Sequence, residues 1–298
     1  MQKIMQMNIF NGHEFVADKV ISLKKRVAEW GREIKIVSLC FDEDVSSKIY
    51  ANKKQLLAGR IGINFQIINL NFNCPIIEIK NLILKLSNDK SVTGIMVQKP
   101  RKSVYNDQLL TSKQIEQLDF VSWWRKITEL LPIEKDVDGL SPLVIEKLRK
   151  KQNCLVLPAT AKAILEILAT FNLRDKRILL IGKSDIIGWP LYWQWKNQGL
   201  MVEIVGKNEL AKKLSDDKQL KLYQVVVSAT GVSKLIKGEM LAEDVILVDV
   251  GEPKSDFDFE SCVTKAKFIT PVPGGVGPVT VWALLENSLT LSQFNREF

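Results

Sequence analysis

The chain has 298 residues, of which 46% are hydrophobic and 26% charged, as is typical of one large or two medium globular domains. It lacks a run of about 18 uncharged apolar residues and an apolar leader with a small-residue cleavage site, so we expect a cytoplasmic protein without a membrane span or secretion signal. Cys40, Cys74, Cys154 and Cys262 form no CxxC pair and His13 is the only histidine, which argues against zinc, a disulfide framework and histidine-based catalysis.

Strands and helices alternate along the first part of the chain. Apolar runs of strand length are separated by longer amphipathic segments that end near glycine or polar residues. The predicted order is helix 14–30, strand 34–41, helix 46–62, strand 64–71, helix 74–89 and strand 92–100. Alternation at this spacing predicts an α/β fold with a parallel sheet and helices on both faces.

A second α/β unit begins at about residue 151. Before it, 103–132 is predicted to be helical and 132–143 to be a loop. The predicted elements that follow are helix 160–171, strand 176–182, helix 189–198 and strands 200–206, 223–231 and 245–251. This order is typical of a doubly wound, nucleotide-binding domain.

The loop after strand 176–182 is a candidate phosphate-binding loop. Gly182, Lys183, Ser184 and Gly188 lie between a buried strand and a helix, where backbone N–H groups can face an anion. The loop is not GxGxxG, and an ordinary βα turn would explain it equally well if it stood alone. Its place between strand and helix favours the phosphate interpretation.

The tip of strand 200–206 carries Gly206 and Lys207, where NAD-preferring domains usually carry an acid that binds the ribose hydroxyls. Two cations, Lys183 and Lys207, without an acid at the tip would suit the 2′-phosphate of NADP. Solvated surface lysines explain the same pattern about as well.

Five polar or aromatic residues of the first part could carry chemistry. Tyr50 and Lys54 are four residues apart on one helix face, and Gln98 ends a strand at the edge where ligands bind in parallel sheets. Asp136 and Asp138 follow in a turn-forming segment. Each signal is weak alone, because a helical lysine is usually solvated and paired aspartates often only shape a turn.

The segment 270–280, "TPVPGGVGPVT", holds three prolines and three glycines. Proline fixes the backbone, whereas glycine allows close approach to a ligand, and a plain turn would not need both. Taken in order with Tyr-x-x-x-Lys, Val-Gln-x-Pro, Lys-Asp-Val-Asp-Gly and Gly-x-Ser-x-x-x-Gly-x-Pro, this loop gives the chain a resemblance to a known family. From about residue 34 to 290 it resembles the bifunctional methylenetetrahydrofolate dehydrogenase/methenyltetrahydrofolate cyclohydrolase family.

The resemblance implies two domains with a folate-binding cleft between them. The N-terminal catalytic domain would span 1–150, completed by a C-terminal helix at 279–298, and a Rossmann-type NAD(P)-binding domain would span 151–278. It also implies site residues. Lys54 would be the catalytic lysine, Gln98 its partner, Tyr50 and Asp138 would orient the folate, and the substrate loop would include Pro273, Gly274 and Gly275.

The resemblance further implies NADP as cofactor, with NAD possible, no metal, a folate substrate and a homodimer that binds neither nucleic acid nor membrane. The activity would belong to one-carbon metabolism that supplies purine biosynthesis. The cofactor-binding residues would be Gly182, Lys183, Ser184, Gly188, Lys207, Thr230, Gly231, Gly277 and Thr280. In the hydrolytic step, a desolvated lysine can relay protons for a water that attacks the methenyl carbon. In the dehydrogenase step, the nicotinamide accepts a hydride.

Several departures from the family pattern leave alternatives open. Residues 159–163, 183 and 206–207 differ on the cofactor side, whereas the set around Lys54 is complete. A cyclohydrolase with weakened or lost dehydrogenase activity is therefore the main alternative. A more remote one is a nucleotide- or RNA-binding protein without enzymatic activity, suggested by the net charge of +8 and by the sequence "KPRK".

Overall fold

The computed structural model describes residues 8–111, 118–215, 220–251 and 254–295. The strands are β1 Asn8–Ile9, β2 Lys35–Phe41, β3 Asn64–Leu70, β4 Gly94–Val97, β5 Arg177–Ile181, β6 Met201–Val205, β7 Val225–Ser228, β8 Val245–Asp249 and β9 Ala266–Ile269. The helices are α1 Gly12–Trp30, α2 Val45–Ile61, α3 Ile76–Asn88, α4 Lys102–Thr111, α5 Phe120–Thr128, α6 Pro142–Arg149, α7 Ala159–Leu168, α8 Gly188–Asn197, α9 Lys207–Leu214, α10 Phe259–Val263 and α11 Val276–Phe294.

The chain divides into two compact units, each built from three segments. The three-strand unit takes its described residues from 18–147, 153–159 and 283–295, and the six-strand unit from 8–17, 148–152 and 160–282. All strand pairs in both sheets are parallel. The α/β class and the two-domain organisation predicted from the sequence are confirmed. Within the described ranges, no helix combines the length and the apolar character needed to cross a membrane.

The three-strand unit has the sheet order β3-β2-β4. Strand β2 is central, and six of its seven residues are buried, which is why the sequence there is mainly apolar, with Ser38 as the one polar residue among the six. Helix α2 follows β2 and ends at Gly62, whose φ of 90° is the left-handed conformation that glycine adopts without strain. The sheet thus brings the end of β4 beside the start of α2, where the candidate catalytic residues lie.

The segment 103–132 forms α4 and α5 where it is described, and residues 112–117 lie outside the described ranges. Trp123 of α5 is 2% exposed and lies against four aromatic rings at centroid distances of 4.7 to 6.0 Å. Those rings belong to Phe41, Phe72, Tyr105 and Phe120. This long segment therefore supplies core aromatic side chains to the three-strand unit.

The six-strand unit has the sheet order β1-β9-β8-β7-β5-β6. The order reverses between β5 and β7, and in doubly wound sheets ligands bind at the carboxyl ends of the strands that flank such a reversal. Strand β1 pairs with β9 through only two residues, Asn8 and Ile9. A pattern so short carries no periodicity, so the sequence did not predict this strand.

Helix α11 contributes to both units, with residues 276–282 in the six-strand unit and 283–294 in the three-strand unit. In the latter, Asn287 is fully buried and donates hydrogen bonds to the carbonyl oxygens of Val137 (3.0 Å) and Leu157 (2.9 Å). Glu286 accepts from Arg26 of α1 at 2.7 Å. The C-terminal part of this helix therefore holds the backbone of the Asp136–Asp138 turn at Val137, and a second backbone segment at Leu157.

Candidate active site

Lys54 is the centre of a buried polar cluster in the three-strand unit. The residue is only 2% exposed, and its Nζ donates to Gln98 Oε1 at 3.0 Å. The same nitrogen lies 3.8 Å from Asp138 Oδ2 and 4.9 Å from the centre of the Tyr50 ring. The structure thus brings together the four residues that the sequence analysis selected as a catalytic set.

Local structure explains why these side chains converge. Tyr50 and Lys54 are one turn apart on α2, so they share a helix face. Gln98 comes directly after β4, and its backbone N–H donates to Leu39 O at 2.8 Å, which keeps the residue aligned with the central strand β2. An amide oxygen, a carboxylate and an aromatic ring therefore surround one ammonium group, and such a group can exchange protons with a bound reactant.

Asp44 positions the helix that carries Lys54, and the sequence analysis missed it. Its buried carboxylate caps α2 by accepting from Ser47 N at 3.3 Å, and it also accepts from Arg101 N at 2.7 Å and Arg101 Nε at 3.1 Å. Burial opposes ionisation, but the bonds from Arg101, Ser47 and Ser46 hold the pKa of Asp44 below its ordinary value. An aspartate at the start of a helical pattern is the signal that could have identified it.

The turn that carries Asp138 is built around Asp136. Asp136 is fully buried, and its Oδ2 accepts from Ser141 N at 2.6 Å. Gly139 follows with a φ of 65°, and a Cβ there would come within 2.6 Å of Pro158 N. Only glycine fits a turn with both a positive φ and such close packing. Asp136 therefore shapes the turn that presents Asp138 to Lys54.

The two aspartates of this turn respond to burial in the same direction. Burial raises the pKa of Asp136 to about 7, helped by the nearby Asp138 carboxylate and opposed by the backbone N–H groups of Ser141, Leu140 and Gly139. Burial also raises the pKa of Asp138, and the positive charge of Lys54 opposes that rise. The site thus contains an ammonium group next to a carboxyl group whose ionisation depends on that ammonium.

The glycine-proline loop lies in the six-strand unit, between β9 and α11. Gly275 N donates to Pro271 O at 2.9 Å, and Gly12 N donates to Gly274 O at 2.9 Å. A Cβ on Gly12 would come within 2.0 Å of Gly275 O, so the N-terminal segment contacts the loop backbone directly. The sequence analysis missed Gly12, because the contact joins residues more than 260 positions apart.

The other predicted residues of this region are Pro273, Gly274, Gly277 and Thr280. The Val272–Pro273 peptide bond is cis, and Gly274 has a φ of 99° with open space where a Cβ would be. Gly277 also has open space at the Cβ position, and Thr280 Oγ1 donates to Val276 O within α11 at 3.2 Å. The backbone of Gly274 and Gly277 can therefore be approached closely by a ligand.

Six of the nine predicted cofactor residues follow β5 or β7, the strands that flank the reversal, whereas Lys207 follows β6, and Gly277 and Thr280 lie in α11. Gly182 follows β5 with a φ of 117°, and a Cβ there would come within 2.6 Å of Ala229 O. A Cβ on Gly188, the first residue of α8, would come within 1.9 Å of Gly182 O. Thr230 N donates to Asp256 Oδ2 at 2.7 Å, and Gly231 has a φ of 69°. This glycine-lined start of a ten-residue helix fits a dinucleotide pyrophosphate.

Ser184 organises the same loop internally. Its Oγ accepts from Ile187 N at 3.1 Å and from Gly188 N at 3.4 Å, and its carbonyl oxygen accepts from Trp189 N at 3.0 Å. These bonds hold the loop in the tight form from which α8 begins. Ser184 therefore shapes the loop in addition to any contact it makes with a ligand.

The sequence analysis found Gly206 and Lys207 at the tip of β6 and missed an acid that the structure brings to the same place. Glu209 lies three residues beyond Gly206 in the first turn of α9, and its Oε2 accepts from Gly206 N at 3.1 Å. Its Oε1 accepts from Lys183 Nζ at 2.5 Å, whereas Lys207 is exposed. A capping glutamate turns back toward the start of its helix, so a carboxylate returns to a tip where the linear sequence shows only glycine and lysine.

Comparison with known proteins agrees with this geometry. The model of the tetrahydrofolate dehydrogenase/cyclohydrolase catalytic domain matches residues 10–119, and that of the NAD(P)-binding domain of the same enzymes matches 158–296. The bifunctional protein FolD of Staphylococcus aureus is 31% identical over 306 residues, covering 98% of this chain and 99% of that protein. The chain belongs to the tetrahydrofolate dehydrogenase/cyclohydrolase family.

Solved structures extend the similarity to the fold of this family member. The bifunctional FolD methylenetetrahydrofolate dehydrogenase/cyclohydrolase of Campylobacter jejuni is 28% identical with a TM-score of 0.81, covering 96% of this chain and 98% of that one. The Trypanosoma brucei enzyme, solved with NADP cofactor and an inhibitor, is 25% identical with a TM-score of 0.84, covering 97% and 98%. Tyr50, Lys54 and Gln98 lie within the matched catalytic domain, whereas Asp138 lies between the two matched regions.

Proposed function

We propose that this chain is a bifunctional one-carbon folate enzyme. It oxidises methylenetetrahydrofolate to methenyltetrahydrofolate with NADP as the preferred cofactor, and it hydrolyses the product to formyltetrahydrofolate. The observation that carries the proposal is the buried contact of Lys54 Nζ with Gln98 Oε1 at 3.0 Å, beside Asp138 and the Tyr50 ring. A buried lysine with these partners on a family scaffold has a chemical use that a solvated surface lysine does not have.

In the hydrolytic step, Lys54 handles the protons. Water loses one proton as it attacks the cationic methenyl carbon, and the resulting hydroxyl loses a second as it becomes the formyl carbonyl. One of these protons goes to a ring nitrogen of the folate as its bond to that carbon breaks, and the other is released to solvent. A single amine held at a fixed position can serve both transfers. Gln98 accepts a hydrogen bond from the amine and fixes its direction, and the Tyr50 ring offers a flat surface for stacking the folate.

Asp138 has a positioning role in the same proposal. Its carboxylate lies 3.8 Å from Lys54 Nζ and is 15% exposed, so it can bond to both the amine and a polar edge of the pterin ring. Pro273, Gly274 and Gly275 belong to the loop whose backbone we assign to substrate binding. The open space at the Cβ position of Gly274 supports that assignment.

In the oxidative step, the nicotinamide, when bound, supplies the hydride acceptor. The protein orients the cofactor through the ends of β5 and β7, with Gly182, Ser184 and Gly188 near the pyrophosphate and Lys183 and Lys207 toward the adenosine ribose. We also assign four further residues to cofactor binding: Thr230, Gly231, Gly277 and Thr280. Within 8–111, 118–215, 220–251 and 254–295, no cluster of His, Cys, Asp or Glu could hold a metal ion.

Replacing Lys54 by Met tests the hydrolytic role. Loss of a general acid-base group lowers the rate about a hundredfold to ten-thousandfold, and we expect kcat/KM for methenyltetrahydrofolate hydrolysis to fall by at least the lower factor. Lys53→Met is the matched control, because Lys53 is exposed on the same helix. Retention of hydrolysis by the Lys54 variant at the level of the Lys53 variant would refute the role.

A two-cofactor assay tests the oxidative activity. Methylenetetrahydrofolate is mixed with NADP or with NAD, and the reduced nicotinamide is followed by its near-ultraviolet absorbance. We expect reduction with NADP. Methenyltetrahydrofolate hydrolysis without reduction of either cofactor would instead support the cyclohydrolase-only alternative, which the differences at 159–163, 183 and 206–207 suggested.

The proposal also includes the cellular setting and the assembly. We propose a cytoplasmic homodimer whose formyltetrahydrofolate product supplies purine biosynthesis. We also propose functional domains at 1–150 plus 279–298 and at 151–278; these bounds differ from those of the compact units, in which residues 8–17 belong to the six-strand unit. Support comes from the family similarity along 98% of the chain. Light scattering after gel filtration should give twice the chain mass of 33.8 kDa, and a single-chain mass would contradict the dimer.

A further inference from the structure

Glu209 and Lys183 form an ion pair at the tip of β6 in the six-strand unit. Lys183 Nζ contacts Glu209 Oε1 at 2.5 Å, and Glu209 Oε2 accepts from Gly206 N at 3.1 Å. Gly206 is the residue that follows β6, and Lys183 follows Gly182 at the end of the adjacent strand β5. A carboxylate and an ammonium group therefore lie together at the strand end where doubly wound domains hold the adenosine ribose.

Glu209 is held in its charged form near neutral pH. The hydrogen bond from Lys183, together with the N-terminal backbone of α9, holds the pKa of Glu209 below its ordinary value. The side chains remain accessible, with Lys183 35% and Glu209 51% exposed. A ligand can therefore reach either partner without rearrangement of the core.

The two possible ribose substituents interact with this pair in opposite ways. A 2′-hydroxyl can donate a hydrogen bond to the Glu209 carboxylate, as acids at this position do in NAD-binding domains. A 2′-phosphate carries a charge of about −1.5 to −2 at neutral pH. It is attracted by Lys183, but it must compete with Glu209 for that lysine and is repelled by the carboxylate.

We infer that Glu209 is a specificity-determining residue that weakens binding of the cofactor's 2′-phosphate by competing with it for Lys183. The inference rests on the proposed dehydrogenase function and deepens it. Lys183 and Lys207 favour NADP, whereas Glu209 limits that preference. The chain therefore discriminates between NADP and NAD less strongly than its two lysines alone would predict.

The test is calorimetric binding of two cofactor fragments, adenosine 2′,5′-bisphosphate and adenosine 5′-monophosphate, which differ only in the 2′-phosphate. Glu209→Gln removes the charge but keeps an amide oxygen that can accept from Gly206 N. Removing one repulsive charge at an accessible site should tighten binding of the bisphosphate about fivefold to tenfold, with the monophosphate changed by less than about twofold. Lys183→Gln should weaken binding of the bisphosphate alone.

Glu243→Gln is the matched control. Glu243 also accepts from an accessible lysine, Lys265, in the same unit but away from the tip of β6, with exposures of 72% and 35% for the two side chains. It should change neither affinity. The gain from Glu209→Gln should also shrink as salt is raised, because the interactions of exposed charges are screened.

Each outcome supports or overturns the inference. An unchanged ratio of the two affinities in Glu209→Gln, with both fragments bound, overturns the role of Glu209 and leaves the proposed function intact. Binding of neither fragment to the wild-type chain or to the variant overturns the proposed cofactor site and this inference with it. If Glu209→Gln is poorly folded, as judged by its thermal unfolding, Glu209→Ala takes its place, and an unchanged ratio of the two affinities in that variant overturns the inference in the same way.

Discussion

Replacing Asp136 by Asn is expected to remove the pH dependence that the buried Asp136 carboxyl group gives to the stability of the three-strand unit. Asp136 is fully buried, and its Oδ1 has no hydrogen-bond partner among the described residues. Its Oδ2 accepts from Ser141 N at 2.6 Å. Asparagine keeps an acceptor for Ser141 and cannot ionise, so the variant tests the charge while largely preserving the turn.

The magnitude follows from the pKa of Asp136 in the two states. Burial raises it to about 7 in the folded chain, from 3.8 in the absence of burial. The folded state binds the Asp136 proton more tightly than the unfolded state does. The protonated side chain's contribution to folding stability is therefore fully present below pH 3.8 and is lost as the pH rises through about 7. Between pH 5 and pH 8 the wild-type chain should lose roughly 2–3 kcal/mol that the variant does not lose.

The assay is urea denaturation followed by tryptophan fluorescence at pH 5 and pH 8. The quantity of interest is the difference in unfolding free energy between Asp136→Asn and the wild type, which should shift in favour of the variant at the higher pH. Asp18→Asn is the control, because Asp18 is exposed on α1. A difference that is the same at both pH values would refute the assignment of a raised pKa to Asp136.

Two further substitutions test the packing that supports the site. Asn287→Ala removes hydrogen bonds to the buried carbonyl group of Val137 and the part-buried carbonyl group of Leu157. It should lower the unfolding free energy by about 2–4 kcal/mol and reduce hydrolysis, which a melting temperature and the folate assay measure. An unaltered melting temperature would contradict this role. Trp123→Ala removes the centre of the aromatic cluster and should lower the unfolding free energy by about 3–5 kcal/mol. Val121→Ala is the control, because Val121 is 66% exposed on the same helix, and it should lower the unfolding free energy only slightly. Equal losses of unfolding free energy in the two variants would mean that the cluster contributes nothing specific.

The residues around Lys54 were predictable because their placement follows from local rules. Helical spacing puts Tyr50 and Lys54 on one face, and a residue that directly follows a parallel strand, such as Gln98, lies at the ligand-binding edge of the sheet. The α/β alternation was predictable for a related reason. Buried parallel strands are mainly apolar along their length, as β2 and β8 both are.

The features that the sequence did not reveal depend on contacts between residues distant along the chain, on helix-capping geometry, or on the burial of a side chain. Glu209 follows the tip of β6 in sequence, and only the capping geometry of α9 returns its carboxylate to Gly206. Gly12 meets the glycine-proline loop through a long-range contact that no local pattern encodes. The pKa of Asp136 depends on complete desolvation, which a turn-forming sequence motif does not specify.

The interleaving of segments bears on how the chain folds during synthesis. The three-strand unit is mostly encoded early, yet it needs residues 283–294 of α11, whose Asn287 bonds to Val137 and Leu157. Strand β1 is synthesised long before β9, the strand with which it pairs. Domains generally fold one after another as they leave the ribosome. Neither unit here can be completed before α11 has been synthesised. We therefore expect nascent chains to need shielding of exposed apolar surface until α11 has emerged.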